Sequence, residues 1–540
     1  MKGKQILFGS EARRKLQRGV DILSDAVRIT LGPKGKLVVF KRTVPVFSLD
    51  GVTVAKQVEL EDPIENMGAE LIKNVARNTD AEAGDGTTTA TILSQQIFRE
   101  GMKAMAAGVD IISVHAGLLQ GVGIVEKFLK KTSKPIKGKQ DIKNVATISS
   151  RDPEIGSMVA EIVGTLGKDA IVSVEEVKKI GVESEIVEGY HIDQGLVAPH
   201  LMTHPERGQA ILNRPYILAT MQNIRTMSDI IPVLELVAKT ESKSLLIVAD
   251  DIASEGLATI VINKLRGILN VAAIRAPGIG EDKEGRVEDI ALATGGQFFS
   301  ETVGQKIDEA ELQHLGRAES AIISATETII IGGKAKPIMK KRIADLVHQI
   351  EESKSDYLKE HLMDRLGKLR GKVAVIRIGT ISEEENREKR FRIEDAVRAA
   401  KSSLQEGIVP GGGMALYRAA DEVDKALAKE TDFAKRTGLQ ILSNAIRQPA
   451  IQIIDNTGRK GDLVLQETLQ EAPRSNHSFG FNSDTGEHGN LIEQGVIDPA
   501  MVVRIALSNA VSIVGMFLRT EAVIADLPEK KSTEEDQPKE

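Results

Sequence analysis

Apolar residues recur at helical spacing in the first part of the chain. The first stripe, which predicts an amphipathic helix, consists of Leu16, Val20, Leu23 and Val27. Gly32-Pro33-Lys34-Gly35 ends this helix, and two β-rich segments, Lys36–Phe40 and Val44–Leu49, lead to Asp50-Gly51. A second helix carries Met67, Leu71 and Val75 and ends at Gly84-Asp85-Gly86. A third begins at Thr87-Thr88-Thr89 and carries Leu93 and Ile97.

The middle of the chain changes to short apolar runs between helical patterns. Leu245–Ala249 and Val271–Ile274 have the composition of buried strands, and Gly256–Arg266 between them that of a helix. Strands that alternate with helices are typical of βαβ units and a parallel sheet. Two strongly charged helices follow over Ile338–Leu369, broken around Ser353–Asp356, and charge of this kind is typical of a solvated face.

The last part predicts a strand over Val373–Ile378, a long helix over Glu383–Glu406 and an all-helical end interrupted by Gly411-Gly412-Gly413. At about 150 residues per domain, 540 residues suggest three or so domains. Helical ends around an α/β middle fit three consecutive domains. They fit equally well a nested arrangement in which the middle is inserted into a helical domain, and the spacing of the elements leaves both open.

Composition excludes several kinds of chemistry. The sequence has no cysteine, which rules out disulfides, thiolate nucleophiles, iron–sulfur clusters and cysteine-based zinc sites. A net charge of -6 gives no general reason to bind nucleic acid or an acidic membrane. The apolar run Ile505–Leu518 is shorter than the roughly 20 residues of a membrane span, and it predicts a buried helix. Without an apolar leader we expect a cytoplasmic protein, with a disordered charged tail after Pro528.

Common enzyme signatures are missing or incomplete. No Gly-Lys pair precedes Ser or Thr, which excludes a Walker A loop, and no Gly-x-Ser-x-Gly elbow occurs. Gly278-Ile279-Gly280 begins like a dinucleotide fingerprint, but Lys283 replaces the third glycine. His200 and His204 stand four apart, yet prolines flank them and no carboxylate has the spacing of a further ligand. We therefore expect no metal at these histidines.

One segment is a candidate phosphate loop. Gly84-Asp85-Gly86-Thr87-Thr88-Thr89 directly precedes a helix, where glycines permit close approach, N–H groups and hydroxyls donate, and an aspartate can hold Mg²⁺. A plain Asp or Thr N-cap after a glycine turn would give the same pattern. Three further loops at the ends of elements favour a phosphate site, namely Thr30–Pro33, Leu49–Gly51 and Gly411–Gly413.

Several motifs in register resemble the bacterial group I (GroEL-type) chaperonins. They are Thr30-Leu31-Gly32-Pro33-Lys34-Gly35, Gly84–Thr89, Arg392-Ile393-Glu394-Asp395-Ala396, Gly411-Gly412-Gly413 and Ile497-Asp498-Pro499, and the similarity runs from about residue 3 to 528. The resemblance implies a nested multidomain fold of α+β and α/β class. Its expected parts are a mainly helical equatorial ATPase domain (1–131 and 406–526), an intermediate hinge domain (132–188 and 374–405), an α/β apical domain (189–373) and a tail (527–540). Gly189, Gly371 and Gly407 are the expected hinges.

The resemblance also assigns roles in an ATP site. Asp85 would bind Mg²⁺, Asp50 would orient the attacking water, and Asp395 would be the second catalytic carboxylate. K⁺ is a further expected ion. The residues expected around the nucleotide, with Asp498 at the ribose, are Thr30, Leu31, Gly32, Pro33, Asp85, Gly86, Thr87, Thr88, Thr89, Ile148, Gly412, Asn482, Val496 and Asp498.

An apolar apical rim is the second site that the resemblance implies. Non-native proteins, and then a GroES-type lid co-chaperonin, would bind to Leu196, Leu201, Ile231, Leu234, Leu257, Val261 and Ile262. Periodicity alone would place Ile231, Leu234, Leu257 and Val261 in an ordinary core. The implied function is ATP-driven folding of client proteins, with isomerase and stress-response roles, in a homo-oligomeric heptameric ring, expected to be double.

Some positions depart from the family pattern. Leu49 stands where a lysine near the phosphates is usual, Lys372 replaces a hinge glycine, and His200 replaces an aromatic of the rim. Ile451 and Arg459-Lys460 do not provide the usual opposite charges between rings. These differences leave ion dependence and ring number open.

Two other functions are considered. A specialised relative that acts as a scaffold with little or no ATP cycling is the alternative, but it would not need all three of Asp50, Asp85 and Asp395. A metabolic phosphotransferase would need a pocket for a small substrate, which nothing in the sequence suggests.

Overall fold

The chain forms two compact units in a computed structural model. The structure describes residues 4–41, 46–168, 170–177, 179–278, 280–333, 336–353, 355–472 and 476–526, so the predicted tail lies outside the described residues. One unit consists of Met1–Asp169 and Ile381–Glu540, and the other is Ala170–Thr380. The chain thus leaves the first unit once and returns to it. The finer division into equatorial, intermediate and apical domains stays a prediction.

The first pass through unit one is mainly helical. The helices are α1 (Gly9–Arg28), α2 (Gly51–Gln57), α3 (Pro63–Ala83), α4 (Thr87–Ala106), α5 (Ile111–Thr132), α6 (Lys139–Ser150) and α7 (Pro153–Leu166). Three short strands accompany them, β1 (Lys4–Phe8), β2 (Val38–Phe40) and β3 (Val46–Ser48). Aspartates begin several of these helices, as Asp62 does by accepting the N–H groups of Ile64 and Glu65.

Unit two is an α/β domain around a mixed sheet. Its strands are β4 (Ile171–Glu176), β5 (Gly181–Ile192), β6 (Ala210–Asn213), β7 (Tyr216–Thr220), β8 (Ser244–Ala249), β9 (Asn270–Arg275), β10 (Phe298–Phe299), β11 (Gly316–Ile323), β12 (Thr328–Gly333) and β13 (Lys372–Gly379). Its helices are α8 (Ile231–Ala238), α9 (Ser254–Leu265), α10 (Glu281–Thr294), α11 (Lys336–Glu352) and α12 (Asp356–Leu369).

The predicted parallel sheet is only partly right. β7, β8 and β9 are parallel neighbours, but β11 pairs antiparallel with β12 and β7, and β5 pairs antiparallel with β13. On β8, Leu245 and Ile247 face one apolar cluster and Leu246 and Val248 face another, so both sides of the sheet are covered.

The second pass through unit one contains strands as well as helices. Its helices are α13 (Glu383–Glu406), α14 (Met414–Leu427), α15 (Phe433–Asp455), α16 (Gly461–Glu471) and α17 (Ala500–Leu518). Its strands are β14 (Ile408–Pro410), β15 (Phe479–Asn482), β16 (Glu487–Asn490), β17 (Ile497–Pro499) and β18 (Ala522–Asp526). The all-helical end predicted from the sequence is therefore wrong, because these strands of three to five residues have no readable period.

One large apolar core joins the two passes of unit one. The predicted stripe of α1 is buried in it, with Leu16, Val20, Leu23 and Val27 at most 1% exposed. By length and composition, α5 and α17 could each cross a membrane. Leu118 of α5 and Val511 of α17 are nevertheless fully buried in this core. The helix predicted at the apolar run is confirmed, but it begins at Ala500 and is longer than the run itself.

Candidate functional site

The predicted phosphate loop joins two helices through left-handed glycines. Gly84 ends α3 at a φ of 71°, and Gly86 begins α4 at a φ of 83°. A Cβ atom at Gly84 would lie 2.3 Å from the Cβ of Arg398, so only glycine fits there. Among the described residues no side chain caps α4, and Asp85 instead accepts the N–H of Gly86. The N–H groups of the first turn of α4 therefore lack a capping side chain, and the simple N-cap alternative is wrong.

This loop borders a cavity of about 630 Å³ within unit one. Eleven of the fourteen residues expected around a nucleotide line it, namely Leu31, Gly32, Pro33, Asp85, Gly86, Thr89, Ile148, Gly412, Asn482, Val496 and Asp498. Thr30, Thr87 and Thr88 do not line the cavity. The hydroxyl of Thr30 is buried and donates to the carbonyl of Val27 at 2.9 Å.

Thr87 and Thr88, at the start of α4, lie against the Asp50-Gly51 turn. A Cβ atom at Gly51 would lie 2.3 Å from the Oγ1 of Thr88 and 3.5 Å from that of Thr87, which brings the Asp50-Gly51 turn against the start of α4. Asp50 itself caps α2, because its carboxylate accepts the N–H of Val52 at 3.2 Å and that of Thr53 at 2.8 Å. Each carboxylate oxygen retains a further lone pair for a water molecule.

Asp395 on α13 is held by an arginine. Arg398 Nη2 donates to Asp395 Oδ1 at 2.8 Å and lies 3.3 Å from Asp80 Oδ1 on α3. The arginine therefore ties the carboxylate of α13 to the helix that ends at the phosphate loop. The side chain of Arg398 also passes close to Gly84, since a Cβ atom at Gly84 would lie 2.5 Å from its Cδ atom and 2.7 Å from its Nε atom.

The carboxyl groups of the site share one electrostatic environment. Burial raises the pKa of Asp85, although the N–H of Gly86 and the charges of Arg151 and Arg398 oppose it. Burial also raises the pKa of Asp395 well above its ordinary value, and the charges of Asp85 and Asp50 add to the effect while Arg398 opposes it. The three predicted catalytic and metal-binding carboxylates are therefore close enough to influence one another.

Asp498 lines the cavity together with Asp85, whereas Asp50 and Asp395 do not line it. Burial and the charge of Asp85 raise the pKa of Asp498 to about 7. Asp498 lies on β17, which pairs with β14, so the Gly411–Gly413 loop that follows β14 reaches the same cavity.

Sequence reasoning missed part of the wall that α6 contributes. Besides the expected Ile148, this wall includes Asn144, Thr147, Ser149 and Arg151. The Oγ1 atom of Thr147 is buried and, among the described residues, has no hydrogen-bond partner. The only sequence signal was the polar run Ser149-Ser150-Arg151-Asp152 at the end of α6, which is equally typical of a helix end.

Comparison with known proteins identifies the family. The model of the TCP-1/cpn60 chaperonin family matches residues 23–528. The chain belongs to this chaperonin family. Among solved structures, it is similar to the chaperonin gp146 from the bacteriophage EL 2 (Pseudomonas aeruginosa), which was crystallised in the presence of ATP-BeFx. The TM-score is 0.68 at 20% sequence identity, over 96% of this chain and 98% of that one. The predicted multidomain chaperonin fold is thereby confirmed.

The expected client-binding residues of this chaperonin lie in unit two with unequal exposure. Ile262 on α9 is 46% exposed, while Leu196, Ile231, Leu257 and Val261 are half-buried. The structure contradicts the expected rim at two positions. Leu201 and Leu234 are 0% and 4% exposed and pack in the core around β8. Leu265 and Ile268, which sequence reasoning did not name, are 70% and 43% exposed beside Ile262.

The structure also shows where the positions that depart from the family pattern lie. Leu49 directly precedes the α2 cap and is half-buried. His200 is exposed in the short turn Pro199–Leu201, and His204 contacts the hydroxyl of Thr203 at 2.8 Å. Gly189 and Gly371 are hydrogen-bonded to each other through the backbone at 3.4 Å, and their role as hinges stays a prediction.

Proposed function

We propose that this chaperonin is an ATPase of the group I type that captures non-native proteins and folds them in a closed ring. The observation that supports the proposal best is the convergence of Asp50, Asp85 and Asp395 on the uncapped start of α4. Three carboxylates close enough to influence one another electrostatically are costly for folding alone. They suit phosphoryl transfer, in which positioning and charge neutralisation do most of the work.

The cavity fits a nucleotide. A volume of about 630 Å³ is within the range of ligand pockets, roughly 300–1,000 Å³. The first turn of α4 offers N–H groups to phosphates. The phage chaperonin gp146, which has a similar fold, was crystallised in the presence of ATP-BeFx, which is in line with this assignment.

Asp85 suits a Mg²⁺ ion that also binds phosphate oxygens. Mg²⁺ in such sites uses one or two carboxylates, waters and the substrate phosphates. In the described part of the chain no three His, Asp or Glu side chains cluster as metal ligands. A metal at Asp85 would therefore take its remaining ligands from the nucleotide and water, and it would supply charge neutralisation between phosphates and carboxylates. Binding of K⁺ is expected only from the resemblance to the family.

The proposed mechanism divides the work between two elements. Asp50 holds the attacking water from the α2 cap, where its carboxylate is fixed by two backbone N–H groups. Asp395 accepts a proton from that water, and Arg398 orients its carboxylate. Because Asp395 lies on α13, a movement of that helix would bring its carboxylate towards the nucleotide or away from it. Hydrolysis would start or stop accordingly, which would couple ATP turnover to a conformational cycle.

Client capture is assigned to the exposed end of α9. Ile262, Leu265 and Ile268 form an aliphatic surface there, and exposed apolar patches of this kind mark sites of protein binding. The same surface would receive a GroES-type lid. The heptameric ring, single or double, is proposed on the resemblance alone.

The test separates hydrolysis from capture. Asp395→Asn should bind ATP normally but hydrolyse it about 100- to 10,000-fold more slowly, because one proton acceptor is lost. Ile262→Glu should keep the ATPase and lose binding to a chemically unfolded test protein. Met363→Glu is the matched control, since Met363 is 56% exposed on α12 of the same unit.

Two results would contradict the proposal. Normal turnover by Asp395→Asn would remove the catalytic assignment. Client binding by wild-type protein without any ATPase activity would favour the scaffold alternative. Negative-stain images of the same preparation would show the number of rings.

A further inference from the structure

The cavity combines several carboxyl groups with one basic side chain. Asp85, Asp484 and Asp498 are among its lining residues. Among the described residues that line it, Arg151 is the single lysine or arginine. Leu49, beside the Asp50 cap, brings no charge. A phosphate chain bound near these carboxylates would need a cationic partner from the protein, and Arg151 is the side chain placed to be one.

The position of Arg151 is built by the fold. Arg151 follows α6 with a φ of 56° and a ψ of 27°, a left-handed conformation that arginine seldom adopts. Strained backbone of this kind is concentrated at functional sites. Its Nη2 atom donates to the carbonyl of Thr30 at 3.0 Å, which holds the guanidinium beside the Thr30–Pro33 loop.

The charges around Arg151 support the same role. Its guanidinium is attracted by the negative charges of Asp85, Asp50 and Glu388. The positive charge of Arg392 repels it. A guanidinium has five N–H donors, and the bond to Thr30 uses one of them. The group is therefore oriented by the protein and retains donors in the fork geometry that suits phosphate oxygens.

We propose that Arg151 contacts the phosphate chain of a nucleoside triphosphate bound in this cavity. This inference rests on the proposed ATPase function and adds to it a residue for phosphate recognition. It also predicts that recognition grows with the number of phosphates. Arg151 is held at the Thr30–Pro33 loop, which the resemblance places at the phosphates, whereas Asp498 is assigned to the ribose.

The experiment compares the binding of three nucleotides to the full-length protein. Dissociation constants of ATP, ADP and AMP are measured by displacement of a fluorescent ADP analogue in the presence of Mg²⁺. Arg151→Gln should weaken ATP binding about tenfold and AMP binding less than about twofold, since one charge-assisted contact is lost. Arg151→Lys should lie between wild type and Arg151→Gln, because it keeps the charge without the fork.

Two further variants distinguish phosphate contact from other causes. Arg459→Gln removes an exposed arginine that lies over the ring of Phe481 but does not line the cavity, and it should leave all three constants within about twofold. Arg151→Asn suits the left-handed backbone, so it should lose ATP affinity as Arg151→Gln does without a lower melting temperature.

The outcomes separate this inference from the function on which it rests. Equal losses for ATP and AMP, or no loss for ATP, would overturn the role of Arg151 and leave the ATPase proposal standing. A wild-type protein that binds no ATP would overturn both.

Discussion

The carboxyl group of Asp498 allows a quantitative test of the electrostatics of the cavity. Burial and the charge of Asp85 raise the pKa of Asp498 to about 7 from an ordinary value of 3.8. Because the pKa is higher in the folded protein, the folded state holds a proton that the unfolded chain has already released. Stability from this group is complete below about pH 4 and is lost as the pH rises towards 7.

The magnitude follows from the two pKa values. At 1.36 kcal/mol per pKa unit, the ionisation of Asp498 costs about 4 kcal/mol of the free energy of unfolding at pH 8. At pH 5, about one pH unit above the ordinary pKa of 3.8, the cost is about 2 kcal/mol. Asp498→Asn keeps the shape and removes the ionisation. We expect it to stabilise the protein without nucleotide by up to these amounts, with the larger gain at pH 8.

The assay is hydrogen exchange of β14 and β17 without nucleotide at pH 5 and pH 8. Local exchange is preferred because a chain of two units does not unfold in one step. Asp484→Asn is the control, since Asp484 lines the same cavity but is exposed and forms a surface ion pair with Lys34 at 2.8 Å. A gain for Asp498→Asn that is absent at pH 8, or equal at both pH values, would refute the reasoning.

Two further predictions concern arginine–carboxylate contacts. Arg398→Gln removes the charge that opposes the rise in the pKa of Asp395. The acidic limb of the pH–rate profile of ATP hydrolysis should therefore move to higher pH, while an unmoved limb would deny Arg398 this role. In unit two, Asp289 is fully buried and accepts hydrogen bonds of 2.7, 2.7 and 3.0 Å from Arg342 and Arg365. Asp289→Asn should lower the local stability of α10 to α12 by about 3–5 kcal/mol in hydrogen exchange, and the exposed Asp345→Asn should change it by less than about 0.5 kcal/mol.

The elements that could be predicted from the sequence have strong local signals. The helix predicted over Glu383–Glu406 has these bounds in the structure, because the hydroxyl of Ser382 accepts the N–H of Glu385 and Gly407 ends the helix. β15 and β16 were missed, since four-residue strands form through their pairing with each other and not through their own periodicity. The antiparallel part of the unit-two sheet depends in the same way on partners that are distant in sequence.

The residues of the candidate site divide in the same way, into those with a local sequence signal and those without one. The Gly84–Gly86 loop could be found from its residues, because left-handed turns before a helix require glycine. Asp395 could be assigned only from a resemblance, since an aspartate on a charged helix has no distinctive pattern. Arg151 was missed for a different reason: a left-handed arginine is rare, and its approach to Thr30 depends on tertiary packing. Periodicity alone was correct in placing Leu234 in a core.

Three buried carboxyl groups, two that line the cavity and Asp395 on α13, are unfavourable for the fold at neutral pH, and this supports a binding function. Burial raises the pKa of Asp85, Asp395 and Asp498, so the ionised form of each carboxyl group lowers the stability of the folded protein. Apolar or amide side chains of similar size would fill the same space without this cost. A ligand that brings positive charge between the carboxylates would remove part of it, and by linkage the protein would be more stable with the ligand bound. We therefore expect Mg²⁺ with nucleotide to protect the α3–α4 loop and β17 from hydrogen exchange more than nucleotide alone, and equal protection would contradict this account of the site.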